Sequence, residues 1–458
     1  MLPVDFCERM KQMLGEGYEA FIKSYDLPKY QALRINPLKA EKEFFLKQAP
    51  FSLEKVPWAE DGYYYGEEDF PGKHPYHDAG VYYIQEPSAM APAEYLEVKP
   101  GERVLDLCAA PGGKSTQLAC KMNGEGLIVC NEIHPARAKI LSENIERMGI
   151  KNALVTNETP ERLADNFVEY FDRILVDAPC SGEGMFRKNE DACGEWSPAN
   201  VENCAQRQDE ILDYAAQMLK PGGRLVYSTC TFAPAENEGS ISRFLERHEE
   251  FLIVWVEKKD GMQAGVPEWS QNPAEKITDT IRLWPQYLKG EGHYLAVLQK
   301  EGTLSKTYQG ICKNGIQKGG SEKECKEFFA FAEENLKIKI SGSFLKFGDQ
   351  LYLMPEEMPS IHKLKVLRPG LHLGTMKKNR FEPSHALALS LRPEDALHVC
   401  SLSSESNEIK AYLNGQTLTM EGEKGWYLVT VDGYSIGWGK LAGSILKNHY
   451  PKGLRKNG

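Results

Sequence analysis

Two cysteines and one aspartate carry the most chemical information in this chain. Arg173-Ile-Leu-Val runs into Asp177-Ala-Pro-Cys180, and Arg224-Leu-Val-Tyr-Ser-Thr runs into Cys230. Each apolar run reads as a buried strand. A single cysteine in such a place reads as a small buried hydrophobe. Two at neighbouring strand ends, with an aspartate beside them, ask for a chemical reason. Ligands of open α/β sheets bind outside the carboxyl ends of the strands, so all three side chains should face one crevice.

Methyl transfer to carbon 5 of cytosine supplies such a reason. That carbon is too poor a nucleophile to take a methyl group directly. A thiolate adding to carbon 6 turns the ring into an enamine whose carbon 5 can attack a methylsulfonium. A carboxyl group that holds a proton at ring N3 eases the addition. A base must then remove the carbon 5 proton, and the thiol must leave. One cysteine, one acid and a second thiol to assist departure match these needs. An amino-group methyltransferase needs no thiol and shows a (D/N)PP(Y/F) tetrapeptide where this chain has Asp177-Ala-Pro-Cys180. The residue types alone leave open which thiol attacks.

The elements that must position these residues begin near residue 99. Val104–Cys108, Leu127–Ile133, Ala153–Thr156, Arg173–Val176, Leu225–Tyr227 and Tyr294–Leu298 read as strands. Lys114–Met122, Pro135–Met148 and Gln206–Leu219 read as helices between them. This alternation predicts a parallel, Rossmann-like sheet covered on both faces. The expected divisions are an α+β extension over 1–98, a catalytic domain over 99–300, a linker and small intermediate region over 301–385, and a small β domain over 386–458.

The first strand leads into Asp106-Leu-Cys108-Ala-Ala-Pro-Gly112-Gly113-Lys114-Ser-Thr. Small residues let the backbone approach a ligand, and the following helix offers free N–H groups. A phosphate-binding GxxxxGK[ST] loop is excluded, because Cys108 stands where its first glycine belongs. A nucleoside fits better: Glu132 follows Gly113 by 19 residues, where a carboxylate can accept both ribose hydroxyls.

These motifs together resemble the RsmB/RsmF/NSUN family of RNA 5-methylcytosine methyltransferases. The matching runs are DLCAAPGGKSTQLA (106–119), DAPCSGEGMFR (177–187) and YSTCTFAPAENE (227–238). LRIN (33–36), QEPSAM (85–90) and RLWPQYLKGEGHYLAVL (282–298) extend the match in order over the first 300 residues. GWGKLAGSILKNHYPKGLR (437–455) resembles the PUA-like RNA-binding domain of the RsmF-type members. The resemblance implies a class I methyltransferase fold, S-adenosylmethionine as cofactor, and 16S ribosomal RNA near the decoding region as substrate. It leaves transfer RNA open as the alternative, along with a non-catalytic RNA-binding protein on the same fold. Cys230 would be the nucleophile and Cys180 the residue that assists release. Asp177 would contact the base, with Lys114 in the same active site. Cys108, Ala109, Ala110, Pro111, Gly112, Gly113 and Lys114, with Glu132, Asn157 and Asp177, would line the cofactor.

Composition sets the surroundings. The 458 residues are 41% hydrophobic and 26% charged, which is ordinary for a globular protein. The 11 cysteines form no CxxC pair and no Cys/His cluster, so neither a disulfide scaffold nor a metal site is expected. No apolar stretch suits a signal peptide or a membrane span, and a cytoplasmic monomer is the expectation. A net charge of −10 argues against a nucleic-acid partner, but the charges are segregated. The last 20 residues hold Lys440, Lys447, Lys452, Arg455 and Lys456 and no acid, with His449 and Tyr450 among them. Lys377, Lys378 and Arg380 form a second basic knot. Cations interleaved with aromatic rings suit phosphate contacts and base stacking, so Lys440, Lys447, His449, Tyr450, Lys452 and Arg455 are the expected RNA contacts.

Overall fold

The apolar runs after residue 99 pair side by side, as their burial on both faces demands. The computed structural model describes residues 2–188, 190–305 and 307–456. Strands β1 (Arg103–Asp106), β2 (Leu127–Asn131), β3 (Ala153–Thr156), β4 (Phe171–Asp177) and β5 (Leu219–Thr229) are parallel, in the order β3-β2-β1-β4-β5. Beyond β5 the sheet continues antiparallel through β8 (His293–Lys300), β7 (Ile281–Leu283) and β6 (Met262–Ala264). Successive side chains divide between the two faces: Val104 joins one core and Leu105 the other.

Four helices matter for the site. They are α1 (Gly113–Lys121), α2 (Pro135–Arg147), α3 (Pro198–Met218) and α4 (Glu238–Arg247). Proline at the first turn of α2 and α3 sits where no N–H is needed. Ser197 caps α3 by accepting from the Asn200 N–H at 3.1 Å.

The sheet does not end at residue 300. Strand β9 (Val366–Pro369) pairs antiparallel with β3 at the far edge. Ile311–Cys312 pairs with Phe167–Val168. The stretch read as linker and intermediate region is thus packed onto the catalytic sheet at two places. Its own strands (Phe344–Phe347, Gln350–Leu353, Leu371–Lys377 and Arg380–Pro383) form a four-stranded antiparallel sheet.

The two ends of the chain meet. Leu33, Ile35 and Tyr82 of the N-terminal four-stranded sheet share a core with Val429 and Leu446 of the C-terminal five-stranded sheet and with Ile409 of the helix Asn407–Leu413. Tyr76 donates to Asp432 at 3.0 Å, and Lys456 pairs with Asp78 at 2.6 Å. Among the described residues, no helix is long and apolar enough to cross a membrane.

Candidate active site

The parallel register sets Ser228 opposite Asp177, so β4 and β5 end at the same level. Beyond them the two connections are tied together. Ala178 N–H donates to Ser228 O at 2.8 Å, and Gly184 N–H donates to Cys230 O at 2.8 Å. Gly184 leaves no room for a side chain, since a Cβ there would lie 2.9 Å from Cys230 O. Ser181 Oγ meets Thr231 Oγ1 at 2.8 Å. This arrangement brings the Cys180 and Cys230 sulfurs to 3.4 Å, both as free thiols.

Glu236 fastens the pair of loops from behind. Its carboxyl group accepts from Ser181 N–H at 2.9 Å, from Ser181 Oγ, and from Gln208 Nε2 of α3 at 2.8 Å. Burial pushes this carboxyl up to about 7, against the lowering effect of the Ser181 bonds. The Cys180 thiol is pushed well up by its contact with Cys230 and by burial. Cys180 is therefore held as a neutral thiol beside Cys230.

Asp177 ends β4 beside Ser228 of β5. Its Oδ2 accepts from Lys114 Nζ at 2.7 Å and its Oδ1 from Ser228 Oγ at 2.7 Å, while His293 Nε2 stands 3.6 Å from Oδ1. Burial alone would raise this carboxyl. The Lys114 charge and the nearby His293 overcome it and hold Asp177 well below the usual carboxylate range. Lys114 is raised in turn, burial being outweighed by Asp177.

The Gly-rich turn is pinned from outside by α2. Arg137 Nη2 donates to Ala110 O at 2.8 Å and Asn144 Nδ2 to Pro111 O at 2.9 Å. Gly112 adopts φ +114°, and α1 begins at the next residue. Burial pushes the Cys108 thiol up, so it lines the turn uncharged. Asp106 is fully buried: Oδ2 accepts from Ser115 Oγ at 2.6 Å, and Oδ1 has no hydrogen-bond partner among the described residues. Burial pushes its carboxyl up to about 7. Glu132 is buried at the end of β2, its Oε1 accepting from His134 N–H at 2.9 Å and its Oε2 lying 3.4 Å from Arg137. Asn157 spends both amide hydrogens on the backbone, at Glu132 O (2.7 Å) and Ile133 O (2.9 Å). It braces the Glu132 loop and has only an acceptor oxygen to offer a ligand.

The catalytic residues read from the sequence, Asp177, Cys180, Cys230 and Lys114, therefore come together. Ser228, Glu236 and His293 join them without having been singled out. Ser228 and Glu236 lie within the motif around Cys230, and the parallel register is the signal for Ser228. His293 lies within the run 282–298, but no spacing marks it; only the pairing of Tyr294 with Thr229 brings it to the strand ends.

The basic C-terminus is more mixed. Lys440 is exposed with its Nζ 4.9 Å from the Trp426 ring centre, and it faces Lys447 in register. The His449 ring lies 4.5 Å from Trp426, and Lys452 is exposed. Tyr450 must be corrected: it is 3% exposed, with its ring packed on His385 and Tyr412, and has no face for a base. Arg455 is half-buried against Gly415 and donates to Tyr450 O at 3.4 Å, so it braces this turn. In the second knot, Lys377 pairs with Asp349 at 3.4 Å and Arg380 with Glu382 at 3.0 Å.

Comparison with known proteins matches four families along the chain. The family described as "16S rRNA methyltransferase RsmB/F" matches residues 93–299. The "N-terminal domain of 16S rRNA methyltransferase RsmF" matches 2–87, the "RsmF rRNA methyltransferase first C-terminal domain" 330–391, and the "Methyltransferase RsmF PUA domain" 401–456. A protein of Aeromonas salmonicida (strain A449) named ribosomal RNA small subunit methyltransferase F is 32% identical over 451 residues, covering 95% of this chain and 93% of its own. One of Vibrio vulnificus (strain YJ016) with the same name is 33% identical over 473 residues, with 99% and 97% covered. A methyltransferase homolog protein from Pyrococcus horikoshii superposes with a TM-score of 0.58 at 30% identity, covering 64% of this chain and 94% of its own. NSun6 from Pyrococcus horikoshii with SFG shares the fold at 22% identity, with a TM-score of 0.55 over 66% of this chain and 98% of its own.

Proposed function

Because this chain belongs to the RsmF family of ribosomal RNA small subunit methyltransferases, enzymes that use S-adenosylmethionine on RNA, we propose that it methylates carbon 5 of cytosine in 16S ribosomal RNA. The observation that carries this reading is the pair of free thiols at 3.4 Å beside the ionised Asp177. Methylation of a nitrogen or a hydroxyl has no use for either thiol.

The residues present fit the cofactor. The turn Cys108–Lys114 with its glycines leaves room for a ligand against the backbone. Glu132 suits the ribose hydroxyls, and the unpartnered buried oxygen of Asp106 suits a cationic amino group. Asn157 Oδ1 can accept from an adenine amino group. S-adenosylmethionine supplies an electrophilic methyl group when bound there.

The chain's own residues do the rest. Cys230 Sγ adds to carbon 6, the displaced π pair moves to N3, and N3 takes up the proton that the thiol gives up. Asp177, held as a carboxylate by Lys114, accepts the N3–H and N4–H bonds of the protonated ring and stabilises that charge. After carbon 5 has taken its methyl group, a solvent water takes its proton, the C5–H pair returns to the ring and expels the Cys230 sulfur, and the N3 proton returns to that sulfur. Cys180 stands at hydrogen-bonding distance as a neutral thiol and donates to the departing sulfur.

The test is to supply labelled S-adenosylmethionine with 16S ribosomal RNA and digest the product to nucleosides. Label in 5-methylcytidine is the expected result. Label in a ring-nitrogen, amino or ribose methyl product would overturn the proposal.

A further inference from the structure

Arg34 is a buried cation, 1% exposed, on the strand Ala32–Ile35 of the N-terminal sheet. Among the described residues its guanidinium reaches four neutral acceptors and no carboxylate. Nε donates to Gln85 Oε1 at 3.2 Å and Nη1 to Cys120 Sγ at 3.9 Å. Nη2 donates to Thr116 Oγ1 at 2.7 Å and to Gly113 O at 3.1 Å. Gly113, Thr116 and Cys120 all belong to α1, the helix that leaves the Gly-rich turn. Thr116 Oγ1 gives its own hydrogen to Gly113 O at 3.0 Å, so guanidinium and hydroxyl close on one carbonyl.

A hydrocarbon chain of similar length would cover the same surface without the cost of desolvating a charge. What only the guanidinium supplies is a rigid plane of donors, here aimed at the first turn of α1. The strand that carries it is itself held in place. It lies inside its sheet, pairing with Gly62–Tyr64 on one side and Tyr82–Ile84 on the other. Its alternate side chains, Leu33 and Ile35, belong to the core shared with the C-terminal sheet. A Cβ on Gly113 would lie 3.3 Å from Tyr83 Cε1 and 3.4 Å from Gln85 Cδ. The N-terminal sheet thus backs the turn at contact distance and grips it through Arg34.

We propose that Arg34 is a positioning residue for the cofactor, fixing the first turn of α1 so that the backbone of Gly112, Gly113 and Lys114 is set to receive S-adenosylmethionine. The turn and Glu132 supply the contacts, and a strand of the N-terminal sheet sets their place. Without the guanidinium, Gly113 O and Thr116 Oγ1 lose a charged donor. Binding must then also order the turn, which costs affinity. The proposal rests on the placement of the cofactor against the turn Cys108–Lys114 and Glu132.

Calorimetric titration of the full-length protein with S-adenosylmethionine, in the absence of RNA, tests it in wild type, R34M, T116V and the double variant. R34M should raise Kd about 10-fold, the worth of one hydrogen bond to a charged group. T116V removes only the shortest contact and should raise Kd about 3-fold. Because both act on one turn, R34M/T116V should bind no worse than R34M alone. In turnover, KM for the cofactor should rise in R34M with kcat nearly unchanged. A merely structural role would lower the melting temperature and leave the cofactor affinity of the folded protein as it was. Wild-type Kd in R34M therefore overturns the proposal, and so does a double variant whose losses simply add. Should R34M not fold, wild-type Kd in T116V overturns it alone. Wild-type affinity in E132A would instead defeat the placement of the cofactor, and R34M then still decides whether Arg34 governs its binding.

Discussion

Two sulfurs 3.4 Å apart cannot both ionise cheaply, because the second charge would face the first across a water-poor contact. Cys180 is the one held neutral. In the proposed mechanism Cys230 attacks, so the two thiols should show different losses on substitution. Cys230→Ala should show no methyl transfer above background and no denaturant-resistant complex with labelled RNA. Cys180→Ala should still add to the ring and accept the methyl group but fail to release, so a protein–RNA band survives denaturing electrophoresis. Trapping by Cys230→Ala, or normal turnover by Cys180→Ala, would reverse the assignment. These side chains were legible because each lies within a few residues of the end of an apolar run, and a strand end is a place in space as well as in sequence. His293 was not, because its place depends on the antiparallel register of β8 against β5, which no local pattern encodes. Tyr450 misled for the converse reason: basic neighbours suggested exposure, while its partners His385 and Tyr412 lie far off in the chain.

At the scale of elements, the Cys230 loop depends on how β7 is joined to α4. Arg282 of β7 donates to Glu238 of α4 through Nε at 2.7 Å and Nη2 at 2.5 Å, and to Phe232 O at 3.2 Å. The guanidinium lies 4.8 Å from the Trp269 ring and 5.1 Å from that of Trp284. Both partners are fully buried, so removing one leaves the other's charge uncompensated. Arg282→Met should cost about 3–5 kcal/mol, seen as a lower melting temperature, and should slow methyl transfer because Phe232 closely follows Cys230. Arg282→Met with Glu238→Leu should regain most of the stability. A single variant that melts like wild type would show that the pair does not hold this corner. The parallel core was readable from its apolar strands, helix spacing and prolines. Strand β9 escaped because four residues ending in proline carry little signal and their partner strand lies some two hundred residues earlier.

Over the whole molecule, an acidic total coexists with a basic end. Lys440 and Lys447 stand across a strand pair, exposed, with Trp426 and His449 beside them. Replacing both lysines with alanine should weaken RNA binding and make it less salt-dependent. The logarithmic salt slope should fall by about 0.7 to 0.9 for each phosphate that the lysines no longer neutralise. The melting temperature should not change; an unaltered salt slope would remove this face from RNA binding. Cutting the chain at 386 is a poorer experiment, because Leu33, Ile35 and Tyr82 of the N-terminal sheet would be stripped of the partners that cover them. The edge position of β9 has a consequence for synthesis. While the chain is emerging from the ribosome, β3 is made long before Val366–Pro369, so its outer row of N–H and C=O groups waits uncovered. A nascent or truncated catalytic domain ending near residue 300 would therefore present a bare strand edge, open to pairing with another chain. The late arrival of β9 closes that edge and makes the intermediate region a built-in guard against aggregation during folding.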